Sequence, residues 1–321
     1  MSAVRRGSTV LIALVLVIAG IGQANANEVN SRAEEPTPPA TELTEPHPLA
    51  LPNTAVYVLP AQGSGRKYEV WVDVPASYAG SDKRYPVVFV TDAGYSFPLI
   101  RSIRNRLGQN GRNIEDFILV GLSPEQGLTS KESRSRDYTP SNPLLDPVPN
   151  TKRYTATRYG EAAAYRDYIE QQVFPLIASR YRADMTRKIY TGHSYGGLFG
   201  SYVLLTKPEM FQTYILGSPS LWFNKHEMLT YEQNYASTHN DLAAKVMIYI
   251  GDHETPRYFD NEEDMVKDTR AFARKLKSRR YPSLIIDKKV LRDEDHLTIY
   301  PSLISRGLLW ALPGSGPYNG G

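Results

Sequence analysis

Arg187-Lys188-Ile189-Tyr190-Thr191-Gly192-His193-Ser194-Tyr195-Gly196-Gly197 reads as a short strand that turns sharply into an apolar helix, Leu198-Phe199-Gly200-Ser201-Tyr202-Val203-Leu204-Leu205. The Gly-x-Ser-x-Gly at its centre has the form of a nucleophile elbow, a strand-to-helix turn that lifts a serine hydroxyl above a sheet. Glycine is needed at 192 and 196 because a side chain there would strike the neighbouring strand or helix. The backbone N–H of Tyr195, at the helix start, is left to face a developing oxyanion. A bare Gly/Ser triplet carries little by itself; the strand before it and the helix after it give it meaning. Ser194 is therefore the candidate nucleophile.

A serine hydroxyl attacks poorly until a base takes its proton, so a histidine is required. In α/β-hydrolases the order along the chain is Ser, then Asp or Glu, then His. Of the six histidines, His47 sits in a polar N-terminal stretch and His193 belongs to the elbow. His226 and His239 lie in a polar, aromatic connection, and His253 directly follows a strand. His296 is the expected base, because it follows the strand Ser283 to Leu291 and precedes the last helix. The acid is expected just after the preceding strand, in Gly251-Asp252-His253-Glu254. Glu254 is preferred there and Asp252 is the alternative, with a Ser/His dyad as the third arrangement. A second oxyanion donor is expected in Thr91-Asp92-Ala93-Gly94-Tyr95, where Gly94 allows close backbone approach.

Upstream of the elbow, Thr54 to Leu59 and the alternating run Lys67 to Val74 are separated by Gln62-Gly63-Ser64-Gly65, the pattern of an antiparallel hairpin. Continuous apolar runs follow, at Pro86 to Thr91, Phe117 to Gly121 and Lys245 to Ile250, alternating with helical segments. Strands buried on both faces indicate a parallel sheet with crossover helices. The clearest helices are expected from Glu161 to about Arg182, Gly196 to about Thr206, Asn261 to about Arg279 and Leu297 to about Leu312. The fold expected is an α/β-hydrolase: a mostly parallel central sheet with an N-terminal antiparallel hairpin and helices on both faces. One catalytic domain is expected over residues 53–313, with an inserted irregular loop over 123–160 and a flexible tail over 314–321. A loop of that length in a compact domain is either disordered or functional, commonly a lid or a substrate wall, and this one lies at the sheet's carboxyl edge.

The 321 residues are 41% hydrophobic and 22% charged, enough for a substantial core. Residues 1–26 have the form of a secretory signal: basic Arg5 and Arg6, an apolar run from Val10 to Ile21, and Ala24-Asn25-Ala26 as cleavage site. Export to the periplasm or beyond is expected, with no stable membrane insertion after cleavage, and residues 27–52 read as a Pro-rich flexible leader. Without Arg5 and Arg6 the net charge falls from +3 to +1, which makes no electrostatic case for nucleic acid. The absence of cysteine excludes disulfides, a lipid-anchoring lipobox, thiolate metal sites and a cysteine nucleophile.

Beyond the elbow, four stretches carry a resemblance: Arg84 to Val90, Tyr168 to Ile177, Gly192 to Phe199 and Gly217-Ser218-Pro219-Ser220-Leu221-Trp222-Phe223. From about Tyr68 to about Trp310 the chain resembles the putative esterase (esterase D-like) family of α/β-hydrolases, and within it the periplasmic trilactone siderophore esterases. The resemblance implies Ser194 as nucleophile, His296 as base and Glu254 as acid. The family's oxyanion loop usually reads Asp-Gly followed by a polar residue, where this chain has Asp92-Ala93-Gly94. The family also holds feruloyl esterases, formylglutathione hydrolases and mycolyl transferases, so it specifies chemistry more closely than substrate.

The expected function is hydrolysis of a small-molecule carboxylic ester through an acyl-enzyme, with a siderophore trilactone as the favoured substrate. A feruloyl-type or general carboxylesterase, an acyltransferase, and an inactive ligand-binding homologue are the rivals. No cofactor or metal is called for, since neither HExxH, a P-loop nor a dinucleotide fingerprint occurs. Residues 123–160 carry six basic against four acidic side chains, interleaved with Tyr138, Tyr154 and Tyr159. Such a surface suits an anionic aromatic ligand, and Arg136 is the expected contact.

Overall fold

Alternation of apolar and polar residues makes Thr54–Pro60 (β1) and Lys67–Asp73 (β2) an antiparallel hairpin, and β2 pairs antiparallel in turn with Ile118–Glu125 (β4). In this computed structural model, which describes residues 49–108, 111–258 and 263–317, the remaining strands run parallel. They are Tyr85–Val90 (β3), Ala183–His193 (β5), Thr213–Gly217 (β6), Lys245–Gly251 (β7) and Ile285–Leu291 (β8). The sheet order is β1-β2-β4-β3-β5-β6-β7-β8. The fold is that of an α/β-hydrolase.

The unbroken apolar runs follow from burial on both faces. Val87 and Phe89 pack into one core layer while Val88 and Val90 pack into the opposite one. Leu216 and Ile215 divide the same way, as do Ile248 and Met247. One layer is covered by Tyr195–Thr206 (α5), Met228–Thr238 (α7), Met265–Ser278 (α8) and a long helical segment. That segment is Ala162–Tyr168 (α3), a π-turn at Ile169–Val173 and Phe174–Arg180 (α4). Pro175 lacks the N–H that would bond one turn back, which accounts for the wider turn just before it. The other layer is covered by Ala93–Gly108 (α1) and Ile299–Ala311 (α9).

Residues 123–160 depart from the expected irregular loop. Strand β4 runs on to Glu125, and Ser130–Asp137 forms helix α2. Thr129 and Glu132 close a reciprocal capping box at its start, a pattern visible in the sequence as Thr-x-x-Glu. Helix α1, strand β6 and helix α7 are additions to the elements expected. Phe223–His226 (α6) is a single turn in which Asn224 and Lys225 take positive φ. At the C-terminus, Gly314, Ser315 and Gly316 donate to the carbonyls of Asn113, Gly111 and Arg112, so the expected tail begins tied to the domain. These elements lie in the unit Ala50–Gly321. Residues 1–26 and nearly all of 27–52 lie outside the described residues. Among the described residues, no helix is long and apolar enough to cross a membrane.

Candidate active site

Strand β5 delivers Ser194 at φ 60°, ψ −117°, a conformation that costs a non-glycine residue free energy and is held only when its surroundings demand it. Here the demand comes from crowding. A Cβ on Gly192 would lie 2.5 Å from the Gly196 carbonyl oxygen, and one on Gly196 would lie 2.5 Å from Thr91 Oγ1. The Ser194 N–H donates to the Gly217 carbonyl at 2.9 Å, and its own carbonyl accepts from Ser220 N–H at 3.2 Å. Strand β6 therefore anchors the elbow on one side. Ser220, itself buried, also places its hydroxyl 3.3 Å from Ser194 Oγ.

Glu254 and His296 arrive on the loops after β7 and β8, neighbouring parallel strands. The Glu254 side chain is fully buried, and its Oε2 lies 2.6 Å from His296 Nδ1. Its other oxygen accepts from Ser218 Oγ at 2.5 Å and from the Gly251 N–H at 3.0 Å. A buried carboxylate needs such partners to remain charged. Asp252, the alternative acid, is 39% exposed, with its nearest ion-pair partner the neighbouring His253 at 3.8 Å. The acid and base positions expected from the sequence thus meet, and Asp252 pairs with His253 instead.

Ser194 and His296 line one cavity of about 820 Å³, together with His193, Arg134, Asp92, Gly94 and Tyr95. Tyr195 opens α5 and Gly94 sits in the first turn of α1, so neither backbone N–H has an intrahelical acceptor. Two amides of that loop are committed elsewhere: Asp92 N–H donates to Tyr138 Oη at 3.2 Å, and Tyr95 N–H to the Asp92 carbonyl at 3.3 Å. Nothing lies within 4 Å of where a Gly94 Cβ would stand, so that wall is open.

Arg136 is a correction. Its side chain is 2% exposed, donates to Asp137, Tyr68 and Glu125, and does not line this cavity. It braces α2 against β2 and β4. The arginine in the cavity is Arg134, whose Nε and Nη2 reach Asp92 at 3.0 and 3.2 Å. Its guanidinium lies 5.8 Å from the Tyr138 ring centre and 5.3 Å from that of Tyr195. Burial alone would lower its pKa, but the Asp92 carboxylate beside it outweighs burial and raises it, so the cation is permanent. The elbow's His193 is also in the wall, and burial, then the charge of His296 and of Arg134, hold its pKa well below the ordinary value of 6.5. Ser218, Ser220, Arg134 and His193 were not among the expected site residues.

Outside the cavity, the described residues bring ligand atoms of His226, Glu263 and Asp268 within 4.8 Å of one another. These groups already pair, His226 with Asp268 at 3.0 Å and Glu263 with Arg153.

Residues 61–283 match the family model described as "Putative esterase". The chain belongs to this esterase family. It is a carboxylic-ester hydrolase of the serine type. The esterase is 26% identical over 279 residues to the ferri-bacillibactin esterase BesA of Bacillus subtilis (strain 168), covering 84% of this chain and 93% of that one. It is 28% identical over 291 residues to the siderophore triacetylfusarinine C esterase of Aspergillus fumigatus, covering 82% of this chain and 94% of that one. Among solved structures it superposes on an IroE-like serine hydrolase from Shewanella oneidensis with a TM-score of 0.70 at 25% identity, covering 80% of this chain and 79% of that one.

Proposed function

We propose that this enzyme is an exported siderophore esterase that opens the ester bonds of a trilactone through Ser194, His296 and Glu254. The observation that carries the catalytic part is the 2.6 Å contact between buried Glu254 and His296 Nδ1, on the wall of the cavity that holds Ser194. With Nδ1–H donated to Glu254, Nε2 is the basic nitrogen. It takes the Ser194 proton as Oγ attacks the ester carbonyl. The amides of Tyr195 and Gly94 receive the oxyanion, each donor worth roughly 10²–10³ in rate. His296 then passes the proton to the leaving alkoxide, and activates the water that frees the acid from Ser194.

The substrate part is supported by the two relatives above, both siderophore esterases, and by the guanidinium in the cavity wall. Arg134 spends Nε and Nη2 on Asp92 and the His193 carbonyl, so Nη1 is left for an anionic ligand. Tyr138 and Tyr195 flank that cation with aromatic surface. The signal-like residues 1–26 support export to the periplasm or beyond.

The test is mass-spectrometric analysis of ferric and iron-free trilactone siderophores after incubation with the wild type and Ser194→Ala. The wild type should release linear ester fragments and the variant none. Rapid cleavage of simple aryl esters beside an intact trilactone would refute the substrate, and full turnover by Ser194→Ala would refute the nucleophile.

A further inference from the structure

We infer that His193 is a positioning residue for His296, fixing the plane of its ring; this rests on His296 being the base. Glu254 alone leaves that plane undetermined. One hydrogen bond, from Nδ1 to a carboxylate oxygen, sets a point and an axis but permits the imidazole to swing about it. His296 also needs support because it stands on a loop beside exposed Asp293, Asp295 and Leu297. Nε2 must nevertheless reach Ser194, and a displacement of about 1 Å in such a site can cost on the order of 10² in rate.

His193 adds a constraint from the centre of the sheet. Its backbone pairs with Gly217 in the middle of the sheet, and its carbonyl accepts from Arg134 Nη2 at 3.4 Å. The His193 ring centre lies 4.5 Å from that of His296, at an interplanar angle of 44°, and 5.4 Å from that of Tyr300. The two rings are thus in direct contact, so His193 limits how far the ring carried by the loop can turn. The residue is 6% exposed, and Nε2 is buried without a partner. An orphaned buried nitrogen is costly, so its place at this position calls for an explanation.

The groups facing this pair come from every neighbouring element: Asp92 after β3, Tyr95 on α1, Arg134 on α2, Glu254 after β7 and Tyr300 on α9. Arg134 and a protonated His296 both oppose a second positive charge, so His193 stays neutral while His296 takes and returns its proton. It can thus touch the base throughout the cycle without repelling it.

The experiment compares His193→Ala, His193→Phe and His193→Asn with the wild type, in the full chain. It measures kcat, KM, the fluorophosphonate labelling rate and the melting temperature. His193→Ala should lower kcat and the labelling rate together, by roughly 10–100-fold, with KM within about threefold. Phe restores a ring and Asn a polar side chain of similar reach, so each should recover part of the loss. The inference is overturned if folded variants keep kcat within about twofold, or if the losses follow melting temperature with no recovery in Phe or Asn. Ser194→Ala and His296→Ala run alongside. Activity in either would sink the catalytic reading itself, whereas their inactivity beside a fully active His193→Ala would sink only this inference.

Discussion

Glu254 Oε2 lies 2.6 Å from His296 Nδ1, although 42 positions separate the two residues. The meeting follows from topology. Strands β7 and β8 are parallel neighbours, so the loops leaving their carboxyl ends are side by side. Replacing Glu254 by Ala should lower kcat by about 10²–10⁴, since the imidazole loses both its tautomer and the partner for its positive charge. Asp252→Ala should stay within about threefold. Steady-state kinetics on one ester checks both, and a larger loss at Asp252 would reverse the assignment.

Ser218 donates to Glu254 Oε1 at 2.5 Å, and the Gly251 N–H is a second donor at 3.0 Å. Ser218→Ala leaves that second donor in place. A loss of about three- to tenfold in kcat is expected, with KM nearly unchanged, far smaller than for Glu254→Ala. An equal loss in both variants would show that Ser218 does more than hold the carboxylate.

Arg134 and Arg136 should separate cleanly. Arg134→Gln is expected to raise KM for an anionic ester by about tenfold, with a weakened dependence on salt. Arg136→Met removes the cation between Asp137 and Glu125, and should cost about 3 kcal/mol of stability. In a domain of this size that lowers the melting temperature by roughly 6–12 °C. Calorimetry and kinetics on the two variants give opposite patterns if the assignment is right.

His193 makes stability depend on pH with a definite sign. Its folded pKa lies well below 6.5, the value it regains on unfolding. Below about pH 6.5 the unfolded state therefore binds a proton that the folded state refuses, and stability falls as pH drops. Melting temperatures across about pH 7 to 5 should decline more steeply in the wild type than in His193→Asn. Parallel curves would mean that His193 titrates normally in the folded enzyme.

Much of this was legible because some residues obey local rules. The elbow could be read because only glycine tolerates the approach of Gly196 and Thr91, and His296 and Glu254 because strand order fixes which loops meet. Arg134 was not legible. With 123–160 read as irregular, nothing distinguished one arginine from the other. On a helix, residues two apart point about 200° away from each other, so α2 sends one to the cavity and the other to the scaffold. The Thr129–Glu132 capping box held the missing signal. Helix α1 was obscured by Gly94 and Pro98 in its first turns, and β6 by its five-residue length. Ser218 and Ser220 act through contacts made across the sheet, which no local pattern announces.

Whether Ser194 is the activated nucleophile is read by fluorophosphonate labelling of the folded protein, with the modified residue mapped by mass spectrometry. One equivalent of label is expected, on Ser194, with labelling lost in His296→Ala. Stoichiometric label on another serine, or a folded wild type that takes up none, would contradict that assignment.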